Sequence, residues 1–273
     1  MKNSDIFNDK FINIDNRTIA SELKNEGFFF IESALNTNFL DSLLTEIDNN
    51  KFSVNENWAS GVYTEKQYYV QHLLGCSKSF YSLSSSSSIF DICDEFFKGE
   101  YRLKSFRYYE TYFNHKMGWH TDNKISKKVG NGFSEIPGII FIVYLDDVKD
   151  GEFQFVKKSH KLSNVDAYNV YTDKQILEEF QNNIVSFKGA KGDLIIYNTY
   201  GIHRAKPVIS NKNAPLKNTI DANVKTASSK KKPIGKNKPS EIPDSLQGVP
   251  EMWLEPATES IEESESESES TSE

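Results

Sequence analysis

Near Tyr101 the hydrophobic pattern of this chain changes period, and that change most limits what it can fold into. Before it, apolar residues recur every three or four positions. Ile19 and Leu23 mark a short helix over Thr18 to Glu26, stopped by Gly27. Leu40, Leu43, Leu44 and Ile47 form the stripe of a second helix, capped by Asn36 or Thr37. Ile89, Ile92, Cys93, Phe96 and Phe97 form the face of a third, with its cap in the serine run Ser84 to Ser88. Between the first two helices, Phe28 to Ile31 reads as a buried strand. After Tyr101, strands are predicted over 103–113, 138–145, 152–156, 183–188, 193–198, 204–209 and 217–224. Asp150-Gly151 and Lys191-Gly192-Asp193 read as turns. One helix, Lys174 to Phe180 capped by Asp173, interrupts the strands. Helices followed by many strands predict a mainly β fold. The strands are expected to form a double-sheet jelly roll flanked by a layer of N-terminal helices.

The 273 residues suffice for one domain with a sizeable core. We expect that domain to span 1–224, with its jelly-roll core at about 101–224 and a disordered tail over 225–273. The tail begins with six lysines between Lys225 and Lys238 and ends in a Ser/Glu repeat. Between them lies an apolar island, Val249 to Leu254, which docks back on the domain or serves as a short binding motif; docking is the preferred reading. Nine Glu from residue 251 onward account for the net charge of -7, so residues 1–250 carry a net +2. A nearly neutral body gives no electrostatic reason to expect nucleic acid as a partner. No apolar run is long enough for a transmembrane helix, and Met1 to Lys10 has no apolar signal region. Cys76 and Cys93 form no metal pattern and read as free thiols in a reducing compartment. Together these point to a cytoplasmic protein without a membrane partner. Residues 51–83 hold Trp58, Tyr63, Tyr68 and Tyr69 without a clean period, and packing is preferred over pocket lining.

The chemistry concentrates in His120-Thr121-Asp122 and His203. In an extended strand, residues i and i+2 point to the same side, so His120 and Asp122 converge. His203 follows the strand pattern Gly192 to Tyr197 and supplies a third donor from a neighbouring strand. Two imidazoles and one carboxylate hold one face of an octahedral iron(II) ion and leave three positions open for a co-substrate and dioxygen. An isolated His-x-Asp is a weak signal; the aromatic strand Tyr108 to Tyr112 before it and the placement of both histidines at strand ends strengthen it.

Three further blocks accompany the metal residues. Leu23 to Ile31 combines a helix end, a glycine and a strand. Asp150 to His160 reads as a hairpin ending in a Lys-Ser-His turn. Gly192-Asp193 through His203 carries the distal histidine. With Trp119 to Asn123, they make the chain resemble the phytanoyl-CoA dioxygenase family over about residues 17–224. That family belongs to the iron(II)- and 2-oxoglutarate-dependent oxygenases. The resemblance implies a double-stranded β-helix, a cupin-like jelly roll, with iron ligation by His120, Asp122 and His203. It also implies a structural hydrogen bond, not ligation, for His160, and no ligand role for His72, His115 or Asn123.

One departure stands out. The family places an arginine shortly after the distal histidine to grip the far carboxylate of 2-oxoglutarate. The matching position is Ala214, and no arginine follows Arg204. Lys217 is the favoured replacement and Lys212 the second, because Lys217 to Val224 looks like the family's final strand. A lysine pairs with a carboxylate as a point charge without the bidentate fork of arginine. Arg204 is a poor candidate, since it faces away from His203. Tyr108, with Trp119, Tyr112 and Lys116, is a candidate to shape the pocket and contact the co-substrate, with strand packing as the alternative.

The expected reaction couples decarboxylation of 2-oxoglutarate to succinate and CO2 with hydroxylation of a C–H bond in a small organic substrate. The carboxylate at Asp122 favours hydroxylation over halogenation, because halogenases leave that position open for halide. The missing arginine keeps two alternatives in view: a non-catalytic jelly-roll binding or scaffold protein, and a 2-oxoglutarate-independent cupin metalloenzyme.

Overall fold

The apolar stripes of the N-terminal third form helices as their spacing requires. In a computed structural model, residues 2–50, 61–63, 67–70, 77–111, 117–122, 138–162, 170–207 and 247–256 are described. Among them the helices are α1 (Asn3–Ile6), α2 (Asp9–Ile12), α3 (Asn16–Asn25), α4 (Thr37–Asn50), α5 (Lys78–Ser84), α6 (Ser87–Phe97) and α7 (Asp173–Phe180). The strands are β1 (Phe28–Ile31), β2 (Gly61–Tyr63), β3 (Gln67–Val70), β4 (Tyr101–Thr111), β5 (Trp119–His120) and β6 (Ile139–Val143). They continue with β7 (Val148–Val156), β8 (Val170–Tyr171), β9 (Ile184–Gly189), β10 (Leu194–Asn198), β11 (His203–Ala205) and β12 (Gln247–Pro256).

Two antiparallel sheets result. One runs β1-β10-β6-β12-β4-β3-β2 and the other β8-β5-β11-β7-β9. They enclose a barrel core of Ile140, Ile142, Tyr144, Phe153, Phe155, Phe187, Ile195 and Tyr197. The opposite face of the larger sheet carries Phe106, Tyr108, Ile139, Phe141, Val143, Leu194 and Ile196, packed on Ile19, Leu23, Leu40, Ile92, Cys93 and Phe96 of the helices. Ile139 to Val143 is therefore apolar throughout because both of its faces are covered, one by the barrel and one by the helical layer. The expected jelly roll with a helical flank is thus the observed fold.

Local details depart from expectation where side chains found other partners. Thr172, not Asp173, caps α7, in a capping box with Gln175. Asp173 instead accepts from Trp119 Nε1 at 2.9 Å and from Arg204. Ser86 occupies the cap position of α6, but its hydroxyl donates to the Leu83 carbonyl at 2.8 Å. Asp150-Gly151 is not a turn between strands. It lies inside β7 as a bulge, where the pairing with β9 shifts register between Val148 and Phe153 and Gly151 takes φ +72°. The Tyr144 hydroxyl pins the strand beyond it, accepting from Phe153 N at 3.2 Å and donating to the Phe187 carbonyl at 2.8 Å.

The largest correction concerns the C-terminal segment. Gln247–Pro256 forms β12, paired along its length with β4, and through Glu251 to Leu254 with β6. The apolar island docks, as preferred, but as an interior strand of the sheet. A domain boundary at 224 leaves this strand out, so the domain extends at least to Pro256. The strand expected over 217–224 and the proposed disorder of 225–246 and 257–273 lie outside the described residues.

Candidate metal centre

β5 and β11 are hydrogen-bonded neighbours, and His203 stands directly opposite His120 in their register. Each imidazole is held the same way. His120 Nδ1 donates to the Gly118 carbonyl at 2.8 Å, and His203 Nδ1 donates to the Gly201 carbonyl at 2.9 Å. A carbonyl only accepts, so Nδ1 carries a proton in either charge state and Nε2 is the nitrogen left for a metal. The rings lie 4.5 Å apart between centroids. The chain must pass tightly over the barrel to achieve this: a Cβ at Gly201 would fall 2.0 Å from the Phe155 ring.

Asp122 completes the set. Its Oδ2 lies 3.1 Å from His203 Nε2 and its Oδ1 3.7 Å from His120 Nε2. Its backbone N–H donates to the Thr199 carbonyl at 3.2 Å, tying the residue to the loop that carries His203. The ligand atoms of His120, Asp122 and His203 all lie within 4.8 Å of one another. Burial alone would raise the Asp122 carboxyl. The charge and hydrogen bond of His203, with His120 and the Tyr197 hydroxyl, outweigh that penalty and lower it to about 2. Once a metal displaces the Nε2 protons, the site offers two nitrogens and one carboxylate to a single point, which fits a divalent ion of the iron type.

The remaining candidates separate. His160 is not part of the ligand cluster; its Nε2 donates to the Lys24 carbonyl at 3.0 Å, the structural role expected of it. Tyr108 does not meet the triad's side of the sheet. It is 4% exposed and packs with Phe106 in the core beneath the helices. Phe106 and Tyr108, two positions apart in β4, share one face, and that face packs on the helices. Trp119 is likewise buried, in a small outer core with Val156, Ile176 and Ile202. Arg204 stacks over it at 4.2 Å, facing away from the barrel as its position beside His203 requires. Lys212, Lys217, Tyr112, Lys116, His72, His115 and Asn123 lie outside the described residues. Sequence reasoning missed Tyr197, whose hydroxyl donates to Asp122 Oδ2 at 3.0 Å. The signal was available: Tyr197 ends the strand block Gly192 to Tyr197 on the same face as Ile195, toward the barrel.

A jelly roll with two histidines and a carboxylate converging at the mouth of its smaller sheet defines a class, the non-haem metal oxygenase type of site. Comparisons with known proteins agree. The family signature described as Phytanoyl-CoA dioxygenase (PhyH) matches residues 23–215, and the chain belongs to that family. It is accordingly an oxygenase of the iron- and 2-oxoglutarate-dependent kind. No curated protein matches the chain in sequence.

Solved structures share its fold at low identity. HygX from Streptomyces hygroscopicus, with nickel, 2-oxoglutarate and hygromycin B bound, is 12% identical, with a TM-score of 0.58 over 88% of this chain and 87% of its own. The epimerase SnoN, in complex with Fe3+, alpha ketoglutarate and nogalamycin RO, is 13% identical, with a TM-score of 0.58 over 89% of this chain and 84% of its own. EctD from S. alaskensis, with 2-oxoglutarate and 5-hydroxyectoine, is 13% identical, with a TM-score of 0.61 over 89% and 76%.

Proposed function

We propose that the protein hydroxylates a C–H bond of a small organic molecule, using iron(II) held by His120, Asp122 and His203 and consuming 2-oxoglutarate and dioxygen. The observation that carries this reading is the matched pair of Nδ1–H to carbonyl bonds. They orient both Nε2 atoms toward Asp122 before any metal arrives. When bound, the metal and 2-oxoglutarate supply the oxidising chemistry, ending in succinate and CO2. The protein's own part is orientation and shielding. Phe153, Phe155 and Tyr197 wall the inner side of His203 and keep bulk water from it. Small-molecule ligands in HygX, SnoN and EctD support a small-molecule substrate here. A cytoplasmic setting is supported by the buried free thiol of Cys93. Among the described residues, no helix is long and apolar enough to cross a membrane.

Lys217, with Lys212 second, remains our proposal for the far carboxylate of 2-oxoglutarate. β12 fills the place between β4 and β6, and its sequence holds no lysine or arginine, so the cation must come from elsewhere.

The test is anaerobic. Apo-protein receives iron(II) and then 2-oxoglutarate while the visible spectrum is recorded. We expect a weak charge-transfer band that is absent in His203→Ala and weakened in whichever of Lys217→Ala and Lys212→Ala removes the carboxylate's partner. Iron binding without a band would instead favour the 2-oxoglutarate-independent metalloenzyme.

A further inference from the structure

The hydroxyl of Tyr197 stands among the metal ligands. It lies 3.0 Å from Asp122 Oδ2 and 3.4 Å from His203 Nε2. Those two ligand atoms are themselves 3.1 Å apart. Neighbouring donors on an octahedral metal with bonds of about 2.1 Å are separated by roughly 3 Å. The phenol oxygen therefore sits at the spacing of a ligand adjacent to both.

Its position is fixed by packing. Tyr197 is 3% exposed, lies in β10 between Phe28 of β1 and Ile140 of β6, and is held against the rings of Phe153 at 4.7 Å and His203 at 4.7 Å. A buried side chain wedged this way cannot swing far from the triad.

Resting on the metal reading above, we propose that Tyr197 is a fourth protein ligand, engaged when the iron is ferric. In the ferrous protein the neutral phenol donates to Asp122 and leaves the open positions free. Loss of one electron to dioxygen, which leaves as superoxide, raises the metal's charge, and a hard anionic oxygen becomes the better donor. The O–H bond then breaks, the proton leaves to solvent, and an iron(III)–phenolate bond forms. The phenolate occupies one of the three positions that co-substrate and dioxygen need, so the oxidised protein is locked. A one-electron reductant such as ascorbate reverses the step: iron(III) becomes iron(II), the bond breaks, and the phenol regains a proton.

The experiment loads the full-length protein with iron(II) without oxygen or 2-oxoglutarate, then oxidises it with ferricyanide. Metal content, intact mass and the visible and resonance Raman spectra are recorded. The expected result is an intense phenolate-to-iron(III) band with tyrosinate vibrations, bleached by ascorbate and lost in Tyr197→Phe. That variant should keep its iron stoichiometry and its circular dichroism melting curve. A colourless ferric protein overturns the proposal, as does equal colour in Tyr197→Phe or failure to bind iron. Colour accompanied by a mass gain of one oxygen also overturns it, since the tyrosine would then have become a catechol. A ferric tyrosinate band without the ferrous 2-oxoglutarate band would keep this proposal and remove the co-substrate reading; the reverse would remove only this one.

Discussion

The guanidinium of Arg204 lies 4.2 Å over the ring of Trp119, and both residues donate to the same oxygen, Asp173 Oδ1. The pair joins the strands that carry the two histidines, since Trp119 precedes His120 and Arg204 follows His203. Asp173, in the first turn of α7, fastens the helix across them. A stacked cation of this kind contributes about 1–2 kcal/mol when desolvated, and the shared carboxylate fixes its plane.

Arg204→Lys should therefore act on the metal without touching it. Lysine cannot stack as a plane or hold Gln154 and Asp173 together. We expect iron(II) affinity to fall about tenfold, in the range seen for supporting residues of metal sites. Competition with a chelator of known affinity measures it. Unchanged affinity would show that the clamp is mere packing.

Gly27 ends α3 at φ +92°, and a Cβ there would lie 2.6 Å from His160 Nδ1 and 2.8 Å from Phe155. Gly27→Ala meets both backbone strain and a clash, and should destabilise by at least about 2 kcal/mol. Urea unfolding should show a lower midpoint with little change in slope.

Deletion after Leu246 removes β12 from the interior of the seven-stranded sheet, where β4 and β6 flank it. Both neighbours would lose a full ladder of hydrogen bonds. We expect this truncation to be insoluble or unfolded, and a chain ending at Pro256 to fold. Solubility and thermal melting of the two chains decide the point.

Burial pushes His160 below the usual histidine range, and the neighbouring charge of Lys161 adds to this. The bond to the Lys24 carbonyl and the charge of Glu26 oppose it only partly. Its Nδ1 is buried without a partner. The unfolded chain thus binds the proton more readily than the folded one. Stability should fall as pH drops through about 6.5 toward the lowered folded value, and be recovered above it. Thermal melts between pH 5 and pH 8 should show a loss that His160→Gln abolishes, since glutamine can still donate to Lys24.

Local signals in the sequence located most of the fold. The helical stripes Ile19/Leu23 and Ile89 to Phe97 and the blocks around Trp119 to Asp122 and Gly192 to His203 all lay within windows where spacing is informative, whereas the structural role of His160 came only from the family resemblance. What escaped depended on distant pairing. The strand ending at Pro256 lies beyond lysine-rich sequence, and composition there masked a segment whose partners are Tyr101 to Thr111 and Ile139 to Ile142. Tyr108 was assigned to the wrong face because only the packing of the distant helices on Phe106 and Tyr108 shows which side of β4 they cover. Thr172 lost the cap to Asp173 on paper, because proximity in sequence does not reveal that Asp173 is held by Trp119 and Arg204.

The interior position of β12 also sets a schedule. Residues emerge from the ribosome in order, and the sheet cannot be completed until residue 256 is out. The metal-ligand segments at 120–122 and 203 are synthesised well before that, so β4 and β6 must wait with unpaired edges through the translation of the whole intervening stretch. Open edges of this kind invite misassociation. A nascent chain of this protein has reason to depend on a chaperone until its last strand arrives.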